Sequence, residues 1–394
     1  MALPYVKISF ANGAISSVLP AADKVVGMIV SAVASGDFKL GTAYCIYHLS
    51  EAVELGLSKT ANAYAYEQIR QFYAQAGEGA ELWVYGVAKT VKPSQMLDKT
   101  GNHAPDFIQQ SNGRLRVIAA CWDSSSATLT PTNGLDSDVP NAITKGQELA
   151  EWATDTLFAP LFCLLYGYGY SHSTASTMTD LTTMGNNRVA VLVGDVETQG
   201  NMALGLLAGK IAACDVQTHI GRVKDGAIKA EKAFVGAKDA SVGASEILNN
   251  KGYITFRTFV GKSGYFFSDD HMATSPTDDY HSICNRRIID KAYRVTYATL
   301  LEKVNDEIPV TDKGTMPISI VHSLQGAVET AIINNMTAFG NLGTDPEDSG
   351  DTGVECYIDP EQNVVVSSTL KVSIKVKPYG YAKYIEATLG FMTM

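Results

Sequence analysis

The sequence predicts an α/β N-terminal half built on a mostly parallel sheet, followed by an α+β C-terminal half. Three observations predict this. Apolar runs without alternation, separated by helical segments, fill the first half, as expected of parallel strands covered on both faces. After about residue 225 the pattern changes to hairpin-like segments and long helices. The chain then closes on period-two alternation, the mark of strands with one buried and one wet face. With 394 residues, 46% hydrophobic and 18% charged, there is material for two or three domains with real cores. The expected division is an extended arm over 1–20, an α/β domain over 21–225 and an α+β domain over 226–394, ending in a strand arm over 368–394.

The elements follow in order. Val6, Ile8 and Phe10 alternate with Lys7 and Ser9 before Asn12-Gly13, a short strand with a turn after it. "GMIVSAV" (27–33) reads as a buried strand. The helix at 61–76 carries Ala65, Ile69, Phe72, Tyr73 and Ala76 on one face. "ELWVYGV" (81–87), "RLRVIAAC" (114–121), "LFCLLYG" (161–167) and "NRVAVLVGD" (187–195) are further strands, with a helix bearing Leu149, Trp152, Ala153 and Leu157 among them. Helix 201–214 is apolar nearly all round, hence central, and Gly205 and Gly209 permit close packing.

In the second half, "YITFRTFVG" and "GYFFSDDH" form an antiparallel pair turning at Gly261–Gly264. Helices are expected over 278–303 and 319–338. The loop "GNLGTDPEDSGDTG" (340–353) leads to the closing strands. There Leu370, Val372, Ile374 and Val376 alternate with Lys371, Ser373, Lys375 and Lys377. After Pro378-Tyr379-Gly380, the residues Ile385, Ala387, Leu389 and Phe391 alternate with Tyr384, Glu386 and Thr388. Pro378 lacks the N–H that a mid-strand position needs, so it marks a strand boundary.

Several function classes are excluded. A net charge of −10 does not suit general nucleic-acid binding. "MALPYVKISFANG" lacks the basic start and apolar core of a signal peptide. "LFAPLFCLLYG" is too short and interrupted to insert in a membrane. The six cysteines lie far apart without a C-x-x-C pair, and read as small buried hydrophobes in a reducing compartment, so assembly is expected in the cytoplasm.

Catalytic and cofactor signatures fail on spacing. No G-x-G-x-x-G follows a strand, and "VGKSG" has Phe256 where a P-loop needs glycine. "GYGYSHS" (167–173) lacks G-x-S-x-G, so Ser171 and His172 read as a solvated turn. "SDDHMATSPTDDYH" clusters Asp269, Asp270, His271, Asp278, Asp279 and His281 in a spacing that fits no zinc or calcium loop. Asp278 and Asp279 stand where a helix is expected to begin, and complement its dipole. Asp195 and Glu197 lie past a strand's carboxyl end, the usual site of an open α/β sheet, without a partnering base. His48, His103, His219 and His322 are scattered singly. The reading is no catalytic residue, no cofactor and no metal.

One charged feature stands out. Arg287, Lys291 and Arg294 follow i, i+4, i+7, with Arg286 adjacent and Ile288, Ala292 and Val295 on the neighbouring face. This is either a solvated helix face or a docking face for an acidic partner.

Three stretches together resemble the contractile tail sheath family of phages and phage-like injection systems. They are "NRVAVLVGDVETQGNMALGLLAGKIAACDVQTHIGRV" (187–223), "GYITFRTFVGKSGYFF…SICNRRIIDKAYRVTYATL", and the terminal "IKVKPYGYAKYIEATLGF". The resemblance covers about 187–394 and the N-terminal strand. It implies a structural subunit, not an enzyme, that stacks with copies of itself around an inner tail tube and meets baseplate and tail-terminator proteins. Shortening of the sheath would drive the tube through a target envelope without nucleotide. It also implies terminal arms, carrying Val6, Ile8, Phe10, Leu370, Val372, Ile374, Val376, Ile385, Leu389 and Phe391, that complete sheets in neighbouring subunits. The basic helix, with Arg286, Arg287, Lys291 and Arg294, would then face the tube. The rival readings are an α/β enzyme with a dimerising C-terminal domain, or another tail component such as a tube or baseplate protein.

Overall fold

A computed structural model describes residues 23–243 and 245–391, and the chain divides into two compact units at Arg286/Arg287. Val6, Ile8 and Phe10 lie outside the described residues.

Unit 1 is organised by a six-stranded sheet. Its strands are β1 (Val26–Ser31), β2 (Ala43–Ile46), β3 (Leu82–Val87), β4 (Val117–Cys121), β5 (Phe162–Tyr166) and β6 (Val189–Leu192), in spatial order β2-β3-β1-β4-β5-β6. All neighbours are parallel except β2, which pairs antiparallel with β3 at the edge. Every residue of β1, β4, β5 and β6 is buried, which is why their sequences do not alternate.

Helices α1 (Ala63–Ala76), α2 (Asp138–Leu157) and α3 (Leu204–Ala213) pack in this unit. α3 is buried along nearly its whole length, and its glycines explain how. A Cβ at Gly209 would sit 2.5 Å from the Phe72 carbonyl oxygen, and one at Gly205 would strike that of Gln68. The two helix backbones therefore touch. Two buried glutamines of α1 then satisfy the otherwise orphaned start of α3. Gln68 Oε1 accepts from Gly205 N (2.8 Å) and Gln71 Oε1 from Leu206 N (3.3 Å), while both amides donate to the Met202 carbonyl.

The division near residue 225 moves to Arg286/Arg287, inside helix α4 (Ile283–Leu301). The intervening segment is sewn onto unit 1: Ala233–Val235 pairs with Asp195–Val196, and Ile254 bridges Leu192 in parallel. The expected hairpin is present within it, with Phe256 opposite Phe267 and Arg257 opposite Phe266. α4 starts at Ile283 and not at 278. Asp278 serves a preceding turn instead, accepting from Tyr280 N, Asn187 Nδ2 and Thr274 Oγ1.

Unit 2 contains helix α5 (Ile318–Asn335) and the antiparallel pair β7 (Val354–Tyr357) and β8 (Ser373–Val376). Met316, Val321, Leu324 and Ile358 form one small core cluster in it, with Ile308, Val364, Leu370 and Val372 half-buried against it, and Val328, Ile332, Met336 and Leu342 are buried as well. Gly326 of α5 has nothing within 4 Å of where a Cβ would stand. Gly326→Ala is therefore expected to raise stability by about 0.5–1 kcal/mol through lost unfolded-state freedom, read as a higher denaturation midpoint.

Candidate assembly surface

The alternation read from the C-terminal sequence has a structural counterpart. Leu370, Val372, Ile374 and Val376 are half-buried while Lys371, Ser373, Lys375 and Lys377 are exposed. β8 pairs within its own chain, Ile374 opposite Cys356 and Val376 opposite Val354. The pair has no third strand among the described residues.

Its two outer edges differ. On β7, Cys356 donates its N–H to Glu329 Oε1 (2.9 Å) and accepts at its carbonyl from Gln325 Nε2 (2.7 Å). Side chains of α5 thus close that edge. Antiparallel strands turn the groups of facing residues alternately toward and away from each other. Since Cys356 turns away from β8, Ile374 opposite turns its own N–H and carbonyl outward, and Val376, two residues on, does the same. Among the described residues, the outer edge of β8 is an unpaired ladder.

Beyond β8, Lys377 N–H donates to the Gly353 carbonyl and its own carbonyl accepts from Gly343 N–H, both at 2.8 Å. The strand ends just before Pro378, as expected. Residues 377–391 contain no strand. Within them Ile385 is 84% exposed, Leu389 96%, and Phe391 fully exposed.

The root of this segment is pinned electrostatically. Lys377 Nζ lies 2.6 Å from Asp351 Oδ2, and with the Gly353 and Asp345 N–H donors it holds the Asp351 carboxyl down at about 2. A depressed carboxylate contributes above its unfolded value, near 3.9, and the contribution is lost as pH falls through about 2. A carbon-13 titration should give a midpoint near 2 for Asp351, returning toward the ordinary value in Lys377→Met.

The basic helix is corrected by the structure. Arg286, Arg287, Lys291 and Arg294 are 6%, 4%, 7% and 3% exposed, so they form neither a solvated face nor a displayed basic stripe. Lys291 Nζ donates to Asn341 Oδ1 at 2.8 Å and lies 5.8 Å from the Phe339 ring centre. The Arg286 guanidinium stacks on Tyr280 at 4.5 Å. Buried Asp290 stands one helical turn from Arg286, Arg287 and Arg294, an acid on the same face that the i, i+4, i+7 count passed over. The tube-facing assignment loses its basis in surface charge.

Other sequence candidates are placed as follows. Asp195 is buried, accepts from the Tyr166 hydroxyl (2.6 Å) and from Gly200 N–H (2.8 Å), and burial raises its carboxyl above the ordinary value against those two donors. Glu197 accepts from Glu231 N–H. "VGKSG" forms the hairpin turn, and His172 opens a short 3-10 turn. Reading by sequence proximity missed His219, which the fold brings 2.9 Å from Asp269 Oδ1 and 3.0 Å from Asp270 Oδ1. These three could offer ligand atoms within 4.8 Å of one another. Gly221 N–H donates to His219 Nδ1, and the same ring's Nε2 meets the carboxylates, so the cluster also ties the His219 turn to the segment that follows Phe267. His281 lies apart from it, at the Asp278 carbonyl. All six cysteines are free thiols, five of them buried. Among the described residues, no helix is long and apolar enough to cross a membrane.

Comparison with known proteins adds the following. Family models described as the N-terminal and C-terminal domains of DUF2586 match residues 3–271 and 279–394. No curated protein sequence matches the chain. The fold is similar to the helical sheath of the anti-feeding prophage in its contracted state, with TM-score 0.64, 17% identity and 99% of each chain covered. It is also similar to the contracted sheath complex of an extracellular contractile injection system, PVC, with TM-score 0.62, 14% identity, 99% of this chain and 98% of that one. A sheath tail protein from Listeria innocua matches with TM-score 0.53 and 12% identity over 93% of this chain and 97% of that one.

Proposed function

The chain belongs to the DUF2586 family, and from that premise we propose that it is the structural subunit of a contractile sheath. Copies assemble into a cylinder around an inner tube, and shortening of the cylinder drives the tube through a target envelope. The observation that carries the reading is the pairing of an open β8 edge with an apolar segment that its own chain leaves exposed. An open edge is a template for a strand from another chain, and main-chain hydrogen bonds with alternating side chains then set affinity and register.

Such a contact is heterologous: one surface gives and a different surface takes, so the contacts propagate as rings or open helices. The fold shared end to end with sheath subunits of two injection systems supports this. Tethering through arms also supports a cylinder that rearranges without falling apart, because linked contacts re-form at high effective concentration. The N-terminal arm, with Val6, Ile8 and Phe10, belongs to the same reading, as do an inner tube, a baseplate and a terminator as partners. The work is mechanical, with no catalytic residue and no cofactor in the reading, and assembly takes place in the cytoplasm before the particle is complete.

Electron microscopy of the purified chain with its tube tests this: long hollow cylinders are expected, whereas monodisperse dimers would favour an enzyme. Deleting residues 1–12 should leave cooperative melting in place and abolish long cylinders.

A further inference from the structure

Two surface features of this fold, one in each unit, have matching chemistry. In unit 1, the hairpin that pairs Phe256 with Phe267 and Arg257 with Phe266 stands out from the body. Thr258 and residues 260–264 are exposed, and Val260 at the tip is fully so. Its shape is held. The Phe259 ring meets Phe266 edge-on at 5.2 Å and carries the Arg257 guanidinium at 4.1 Å. Gly264, at φ +87°, lies so close to Ala227 that a Cβ there would stand 2.5 Å from the Ala227 Cβ. From Ile247 to Phe267 the sequence holds three cations and no acid. Lys251 donates to the carbonyls of Ser176 and Met178. Arg257 and Lys262 are exposed and, among the described residues, join no ion pair.

In unit 2, exposed Glu355, Tyr357 and Asp359 alternate with buried Cys356 and Ile358, so β7 and the two residues after it turn one face to solvent. Tyr357 is 56% exposed there, an aromatic ring between two acids. Residues 344–361 hold seven acids and no cation. Lys375, opposite Glu355 on β8, lies 4.0 Å from it with both side chains largely exposed, a solvent-screened pair that leaves Glu355 open to a partner.

We propose that the hairpin tip of one copy docks on this face of a second copy, Val260 against Tyr357, and Arg257 and Lys262 against Glu355 and Asp359. The proposal rests on the reading of the chain as a self-assembling subunit, and adds a contact between subunit bodies to the one made by the arms. Charge complementarity selects the occupant. In a chain of net charge −10, copies repel one another at long range. A projecting tip that reads cation, apolar, cation is where they attract, and a face that reads acid, aromatic, acid is its complement. The charges steer the approach and reject wrong partners, while the apolar centre excludes water. The held shape of the hairpin lowers the entropy lost on docking. Giving and taking surfaces differ, so the contact repeats from copy to copy and does not close within a pair.

The test is charge exchange in the full chain. Arg257→Glu with Lys262→Glu should leave the melting transition in place, and raise the protein concentration needed for cylinders by about tenfold, most at low salt. Adding Glu355→Lys and Asp359→Lys to that chain should restore assembly, because both sides are then reversed together. Unchanged assembly of the hairpin-reversed chain would overturn the proposal. Loss without restoration would give the hairpin a different partner, such as the tube, and overturn it as well. Oxidation of assembled chains carrying Val260→Cys and Tyr357→Cys should give covalent multimers on a denaturing gel. A disulfide closed within single chains would overturn the contact between copies. A parent chain that makes no cylinders would instead remove the sheath reading, and this contact with it.

Discussion

Removing residues 384–394 is expected to abolish long cylinders while leaving the melting transition of the chain in place. The exposed residues Tyr384–Phe391 belong to no strand, and so contribute little to the fold of their own chain. Between copies they are a large resource. Full burial of an aliphatic or aromatic side chain is worth about 1.5–3 kcal/mol, so Ile385, Leu389 and Phe391 together supply roughly 5–9 kcal/mol to one contact, less the entropy of ordering the arm. Loss of that term from every contact is large against the net free energy of a specific association. The check pairs calorimetry with electron microscopy. Unfolding of unit 2 in the truncated chain would show that the segment is needed at home, and normal cylinders would show that it is not an arm.

Gly205→Val is expected to lower the stability of unit 1 by about 3 kcal/mol or more, at the upper end of what overpacking costs. The atoms a side chain would meet at Gly205 are backbone atoms of Gln68, which cannot rotate aside. Pushing α1 and α3 apart also pulls Gln68 and Gln71 off the first turn of α3, and each buried polar group left unpaired costs about 1–3 kcal/mol. For a unit of this size the melting temperature should fall by roughly 5–10 °C. Differential scanning calorimetry of Gly205→Val beside Gly326→Ala makes the comparison, since the second glycine has open space and the shifts should have opposite signs. A Gly205→Val protein as stable as the parent would mean that α3 does not lie against α1.

Five of the sheet's six strands were legible in the sequence because they are buried, so each appears as an apolar run such as "VIAAC"; the edge strand β2, only partly buried, was not read. The glycine pair of α3 was legible for a similar reason: small residues one turn apart on an apolar helix have few uses besides close approach. The closing strand was legible from its lysines. Features that depend on tertiary placement were not. The spacing of Arg287, Lys291 and Arg294 correctly gives one helix face, but spacing cannot say what covers that face. Asp290 was the available signal, since an acid among four cations suits a buried charge network better than a displayed stripe. His219 and Asp269 are far apart in sequence, and only the fold joins them. The start of α4 was misplaced because Asp278 serves a turn as readily as a helix cap. The capping by Gln68 and Gln71 left no sequence signal beyond two polar residues on an otherwise apolar helix face.

The most direct test of the account is a helical reconstruction of cylinders formed by the full chain around its tube, read at the outer edge of β8. The account predicts a strand from another copy hydrogen-bonded to Ile374 and Val376 there, with the arm of each subunit leaving its own body. Cylinders in which that edge stays bare, or in which each arm folds back on its own chain, would contradict it.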